Sequence, residues 1–284
     1  MKLHTSKIFS AGFQFLESPR WHDGKLWVSD FFGHRVVTLD SSGTPSTFIE
    51  VDDEPSGLGF LADGSLLVVS KHDASVLKVT SDGAIEKYAE FSEFAEGPGN
   101  DMFVAPNGHS YVGNYGPQGG TTNLVHVAPD GSVNRLDGDL SFPNGIIQTP
   151  DGTLLVAETL GHRITAFDIA DDGSLANTRV WAQLDESLHP DGIELDSDGG
   201  VWFGNAIALG EESGFYRVVE GGEITDKVAI AGAWAVACTF GGPDLATLYM
   251  TCNVTDLEQF ELKHSSGYIA QAAVGYRGSF SNKG

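Results

Sequence analysis

Turn dipeptides recur along this chain at near-regular intervals, and a repeat of that length fixes the architecture before any single residue is considered. Asp23-Gly24, Asp63-Gly64, Asn107-Gly108, Asp151-Gly152 and Asp198-Gly199 begin at positions spaced 40, 44, 44 and 47 residues apart. A weaker sixth copy runs from Trp234-Ala235-Val236-Ala237-Cys238 to a turn at Gly241-Gly242-Pro243-Asp244. Each unit reads alike. In the fourth, Gly145-Ile146-Ile147-Gln148 is a short apolar strand and Pro150-Asp151-Gly152 a tight turn. Leu154-Leu155-Val156-Ala157 is a buried strand, Arg163 to Asp168 a third, and Asp172-Gly173 turns into a more polar fourth. Asp-Gly and Asn-Gly between β-branched or aromatic runs are strong hairpin signals. Four short strands per unit of ~40–50 residues make a propeller blade. The six units predict an all-β, six-bladed β-propeller with four antiparallel strands per blade, residues 1–284 forming a single domain. The last unit has three strands of its own, Ala235 to Phe240, Thr247 to Cys252 and Tyr268 to Val274. Its fourth is expected from Lys7-Ile8-Phe9-Ser10, so that pairing of the N- and C-terminal strands closes the ring and leaves no open edge there. Units of similar length argue against a β-sandwich.

A repeat also brings equivalent residues to equivalent places. Ser56, Asn100, Asn144 and Asp191 each stand seven residues ahead of their turn dipeptide, and Glu17 six. In a propeller the first strand of each blade lines the central channel, so these side chains are expected at the channel mouth, with Trp234 or Ala235 in the sixth position. A lone Asn or Asp before Gly is ordinarily a turn residue. Here the polar residues precede the inner strand, apart from the hairpin turn itself. Two carboxylates and two amide oxygens converging on one point need a cation to neutralise them. Hard oxygen ligands of this mix suit Ca²⁺, Mg²⁺ or Mn²⁺, and less typically Zn²⁺ or Fe²⁺. No Cys or His cluster has zinc-finger spacing.

Composition narrows the partners. With 16 Lys+Arg against 39 Asp+Glu, the formal net charge is −23, which repels nucleic-acid phosphates and anionic membrane alike. No run of ~18 apolar residues could span a bilayer, and Met1 to Gly12 lacks an apolar signal-type segment. Two cysteines, Cys238 and Cys252, are too few for a disulfide framework. Lying symmetrically about Leu245 on the arms of a hairpin, they are expected as cross-strand neighbours, buried and free. A cytoplasmic protein is the expectation.

Several stretches resemble the senescence-marker-protein, gluconolactonase and luciferin-regenerating-enzyme family of six-bladed propeller hydrolases. They are Glu17-Ser18-Pro19-Arg20-Trp21, Asn100-Asp101, Phe142-Pro143-Asn144-Gly145 with Thr149-Pro150-Asp151-Gly152, Val156-Ala157-Glu158-Thr159 and Pro190-Asp191-Gly192-Ile193. Ala237 to Asp244 with Thr247-Leu248-Tyr249 resembles the last-blade pattern. Each motif alone is weak; their order and spacing cover essentially the whole chain. The resemblance implies that Glu17, Asn144 and Asp191 bind one divalent cation, with Ca²⁺ foremost and Zn²⁺, Mn²⁺, Mg²⁺ or Fe²⁺ as alternatives. It implies that Asn100 lies beside the metal and meets substrate or water, and that Asp191 doubles as general base. Two departures stand out. Ser18 replaces the common Gly after the first Glu, and Pro98 stands where sugar-lactone members often carry a hydroxyl-gripping Arg.

The reaction this implies is metal-dependent opening of a sugar lactone or related small lactone by water, with the oxyanion held by the metal and by the amide of Asn100 or Asn144. No Gly-x-Ser-x-Gly nucleophile elbow competes with it. A phosphotriesterase or other esterase on the same site is one alternative, a non-catalytic calcium-binding propeller another. Pocket walls are expected from the ends of second strands: Phe31, Phe32 and His34; Lys71 and His72; Asn114 and Tyr115; Glu158 and Thr159; Asn205; and Asn253. Tyr115 is the substrate-binding candidate among them, and the aromatic residues suggest a pocket that tolerates an apolar ring.

Overall fold

The computed structural model describes residues 1–117 and 120–279, and the six repeats are six blades around an axis. Blade 1 comprises Leu16–His22, Lys25–Asp30, Arg35–Leu39 and Pro45–Glu50, from channel to rim. The inner strands of the others are Pro55–Phe60, Gly99–Val104, Pro143–Gln148, Pro190–Leu195 and Trp234–Gly241. In blade 6 the outermost strand is Lys7–Phe13, antiparallel to Ser266–Ala272, so the two chain ends close the ring as expected. Lys2–His4 goes further and adds a parallel fifth strand to blade 5, against Ile224–Ala229. Sequence pattern gave no sign of so short a strand.

Alternation within the strands puts apolar side chains on both faces of each blade, and the buried residues separate into one cluster per blade interface. Leu67, Val69, Met102 and Val112 fill the gap between blades 2 and 3; Leu155, Ala157, Ile193 and Phe203 fill that between 4 and 5. A further cluster does not lie between blades. Phe15, Phe31, Phe32, Trp234, Val236 and Ala237 gather above the channel, with Phe260 and Ile207 against them.

Two devices bring the inner strands close and turn their first residues inward. The ladder between the first and second strands slips in every blade, between Glu17 and Arg20, Pro55 and Leu58, Gly99 and Met102, Pro143 and Ile146, Pro190 and Ile193, and Ala235 and Ala237. Such irregularities re-aim side chains, and these stand at the channel mouth. The glycines that follow the polar positions serve close approach. A Cβ on Gly145 would sit 2.4 Å from the Ile193 nitrogen, and one on Gly192 would sit 2.2 Å from the Ala237 Cβ.

The cysteines are both buried and free. They are not directly opposed: Cys238 faces Met250 and Cys252 faces Ala235, because the register slips between Ala235 and Ala237. Among the described residues no helix is long and apolar enough to cross a membrane. One short α-helix, Leu257–Glu261, interrupts the all-β pattern between the second and third strands of blade 6; Asp256 caps it by accepting from the Gln259 N–H.

Candidate active site at the hub

Glu17, Asn100, Asn144 and Asp191, from blades 1, 3, 4 and 5, all open onto one cavity of about 350 Å³, and Tyr115 joins them. Neighbouring blades are lashed together around it. Ser29 Oγ donates to the Ser56 carbonyl, Asn100 Nδ2 to the Pro143 carbonyl, and Thr159 Oγ1 to the Pro190 carbonyl. Asn144 Nδ2 donates to Thr159 Oγ1 at 3.2 Å. Both amide nitrogens therefore already have acceptors, which leaves the Oδ1 atoms for a ligand. Their oxygens suit a cation, and the second N–H of the Asn100 amide stays available to an oxyanion.

The electrostatics of the floor are unbalanced. Glu17 is pushed up to about 7, chiefly by burial and further by the charges of Asp101 and Glu54, against the Ser56 hydroxyl and the Lys71 ammonium. Asp191 is raised well above the carboxylate range, again first by burial and then by Glu17 and Asp101. Glu17 Oε1 and Ser56 Oγ are both buried without completing a hydrogen bond, although the hydroxyl lies near enough to steady the carboxylate's charge. An orphaned carboxylate oxygen beside a second carboxylate is what a bound cation would satisfy. Among the described residues no three His, Cys, Asp or Glu side chains gather as a metal cluster, so the amides of Asn100 and Asn144 are the remaining oxygen donors here. Burial, with the charges of Glu17, Asp191 and Glu54, keeps the Tyr115 hydroxyl protonated far above neutrality.

Beneath the floor, Asp101 accepts from Ser18 Oγ at 2.7 Å and from Arg20 Nη2 at 2.8 Å. Ser18 Oγ also accepts from the Leu58 N–H, tying blades 1, 2 and 3. Ser18 has φ of 50°, a left-handed backbone that glycine adopts freely, so the serine trades conformational ease for two hydrogen bonds. This network was not read from sequence, although Ser18 and Arg20 lie within the first motif.

The wall differs from expectation in a regular way. Phe31, Tyr115 and Thr159 line the cavity, and Phe32 packs behind Phe31. Lys71 sits behind the wall, its Nζ 4.0 Å from the Phe31 ring centroid and 4.8 Å from that of Tyr115. Asn114, Glu158, Asn205 and Asn253 are braces instead. Each accepts a backbone N–H from a loop or strand start at the hub: Glu96, Ser141, His189 and Leu16 respectively. His34 and His72 do not line the cavity, and the His72 ring bonds Asp53 outside it. Pro98 contributes its carbonyl, which accepts the Tyr115 N–H at 3.0 Å. Missed from sequence were Phe15, Ile207, Leu257 and Phe260. The last two belong to the segment 255–265, whose Lys263 reaches the buried Glu54 of blade 2 at 2.6 Å. The opposite end of the channel holds a separate space of only about 50 Å³, beside Arg20 and Glu194.

Residues 15–253 match the sequence profile of the SMP-30/gluconolactonase/LRE-like region. The chain belongs to this family. Among its relatives, a pentonolactonase of Haloferax volcanii is 26% identical over 251 residues, 83% of this chain and 80% of that one. A 6-deoxy-6-sulfogluconolactonase of Pseudomonas putida is 24% identical over 246 residues, 83% and 82% of the two chains. The crystal structure of a calcium-binding protein, regucalcin, from Agrobacterium tumefaciens superposes with a TM-score of 0.80 at 20% identity, covering 100% of this chain and 99% of that one. At that identity the likeness establishes the fold.

Proposed function

We propose that this chain is a divalent-metal-dependent hydrolase that opens a small lactone with water. One observation carries the reading: Glu17 and Asp191 come from blades 1 and 5 into one cavity, and no Lys, Arg or His is among the described residues lining it. Two carboxylates so enclosed are costly until a cation neutralises them. Glu17, Asn144 and Asp191 would hold that ion, with Asn100 beside it. The all-oxygen donor set suits Ca²⁺, and the calcium-binding relative supports that choice. Such a cation, when bound, supplies a Lewis acid for a carbonyl oxygen and eases deprotonation of water.

The chain's own groups do the rest. Asp191 takes a proton from the attacking water. The water oxygen bonds to the carbonyl carbon while the Tyr115 hydroxyl donates to the carbonyl oxygen, where negative charge develops. The ring C–O bond then breaks and the departing oxygen takes a proton from solvent, to which Asp191 returns its own. Lactone plus water gives hydroxy acid. The lactonase names of two relatives support this class of substrate. A cavity of about 350 Å³ exceeds what an ion needs, which favours turnover over a calcium plug.

Proton release on a panel of γ- and δ-lactones and aryl phosphotriesters, with calcium chelated and then restored, tests the proposal. Lactone opening should require the ion, and Asp191→Asn should lower kcat by ~10²–10⁴-fold. Full turnover in chelator, or an unaffected Asp191→Asn enzyme, refutes it. Turnover of phosphotriesters alone would move the assignment to that class.

A further inference from the structure

We infer that the lactone taken by this site is apolar, a γ- or δ-lactone bearing an unfunctionalised alkyl or aryl substituent, and not a polyhydroxylated sugar lactone. The inference rests on the hydrolase reading above and names its substrate. Apart from the Thr159 hydroxyl and the Trp234 indole N–H, the polar side-chain atoms belong to the cavity floor. The walls are Phe15, Phe31, Phe142, Trp234, Val236 and Phe260, all but Phe142 belonging to the apolar cluster above the channel or packing against it. Phe142 is stacked on Tyr115 with ring centroids 4.7 Å apart, so even the tyrosine presents its face to a flat aromatic wall and only its hydroxyl to the floor.

Most of the remaining polar capacity is already committed. Thr159 Oγ1 donates to the Pro190 carbonyl and accepts from Asn144, and the Asn100 amide nitrogen is on the Pro143 carbonyl. Once the lactone carbonyl and the attacking water use the carboxylates, the amide oxygens and the Tyr115 hydroxyl, ring hydroxyls are left with the Trp234 indole N–H and the second N–H of Asn100, too few partners for a polyhydroxylated ring. Each hydroxyl stripped of water and left facing an aromatic ring lowers affinity roughly tenfold or more. At the rim, Leu160 and Leu257 also line the cavity and stand 40% and 63% exposed, so the approach is apolar as well.

The test is a homologous series of δ-lactones substituted with methyl through pentyl, set against glucono-δ-lactone, in saturating calcium chloride. Burying a methylene against such walls is worth about fourfold, so kcat/KM should rise about fourfold per carbon until the cavity is full. Glucono-δ-lactone should fall roughly a hundredfold or more below the pentyl lactone. The Phe260→Ser variant, altered at a partly exposed rim position, should flatten the series. Calorimetric binding of the matching δ-lactams, which are not hydrolysed, separates specificity from catalysis. If no lactone is opened yet lactam affinity still climbs about fourfold per carbon, the hydrolase reading fails and the apolar site stands. A flat or falling series in both assays, or glucono-δ-lactone as the better substrate, overturns the inference.

Discussion

Removing the cation should expose how far the floor depends on it, and the dependence has a definite sign. Glu17 titrates near 7 in the folded chain without metal, against 4.5 for an ordinary glutamate. Between those values the folded state holds a proton that the unfolded chain has released. The protonated form stabilises the fold fully below about pH 4.5, and that contribution is lost as pH rises through about 7. A gap of about 2.5 pK units amounts to at most ~3 kcal/mol, and Asp191 shifts in the same direction. Urea denaturation in chelator should therefore give a protein less stable at pH 8 than at pH 5. Surface repulsion from a net charge of −23 acts in the same sense, so the decisive quantity is the difference between wild type and Glu17→Gln. The variant keeps the shape but carries no charge. In chelator at pH 8 it should be the more stable protein by up to ~3 kcal/mol, and at pH 5 the gap should shrink toward zero. Calcium at a hundred times its Kd should add about 2.7 kcal/mol to wild type at pH 8 and almost nothing to the variant. Should Glu17→Gln be destabilising in chelator at pH 8, the carboxylate is satisfied by protein groups and the case for a cation there fails.

Other outcomes follow from single contacts. Ser18→Ala removes a hydroxyl that serves Asp101 and Leu58, and should cost ~2–3 kcal/mol; Ser18→Gly should cost less, because it relieves a φ of 50°, and the order of their urea midpoints decides the point. Gly145→Ala would push its Cβ to 2.6 Å from the Asp191 carbonyl oxygen, prising blades 4 and 5 apart, so a loss of ~1–3 kcal/mol should come with weaker calcium binding by calorimetry. The thiols of Cys238 and Cys252 are buried, and Cys252 is pushed up to about 12, so neither should react with a thiol reagent at pH 8 until the protein is unfolded; rapid labelling of the native state would contradict the packing.

The blades and hub residues were legible because both repeat. A hairpin turn every 40 to 47 residues leaves one closed arrangement of short strands, and the register between turn and inner strand then carries Asn100, Asn144 and Asp191 to the same mouth. Glu17 arrived there although its spacing is one residue shorter, because the slip beside it matches that of the other blades and the shortening falls in the hairpin turn, where only Asp23-Gly24 separates the paired His22 and Lys25. The illegible parts do not repeat. Lys2–His4 is three residues long and pairs with a strand more than two hundred positions away, and Leu257–Glu261 is a single short helix in one blade. Pattern reading also mistook braces for walls. Asn114 and Asn205 end their strands, and Asn253 stands one residue short of its strand's end, as pocket residues would, but all three are fully buried and bond backbone instead.

That distinction separates what the propeller repeats from what this chain has made its own. The braces recur because every blade must hold the loop ahead of an inner strand, and Asp30 does the same for Gln14 and Phe15. By gripping the Phe15 N–H, Asp30 also fixes an aromatic ring of the cavity wall, so scaffold and site share a residue at that point. The carboxylates and amides occupy four of the six hub positions, whereas blade 6 supplies Trp234 and blade 2 a serine with no completed hydrogen bond. A symmetric ring of six oxygens would have made an ion channel plug. An indole on one side leaves the oxygens grouped toward blades 1, 3, 4 and 5, and beside them lies the largely aromatic-walled volume in which the proposed apolar lactone would sit.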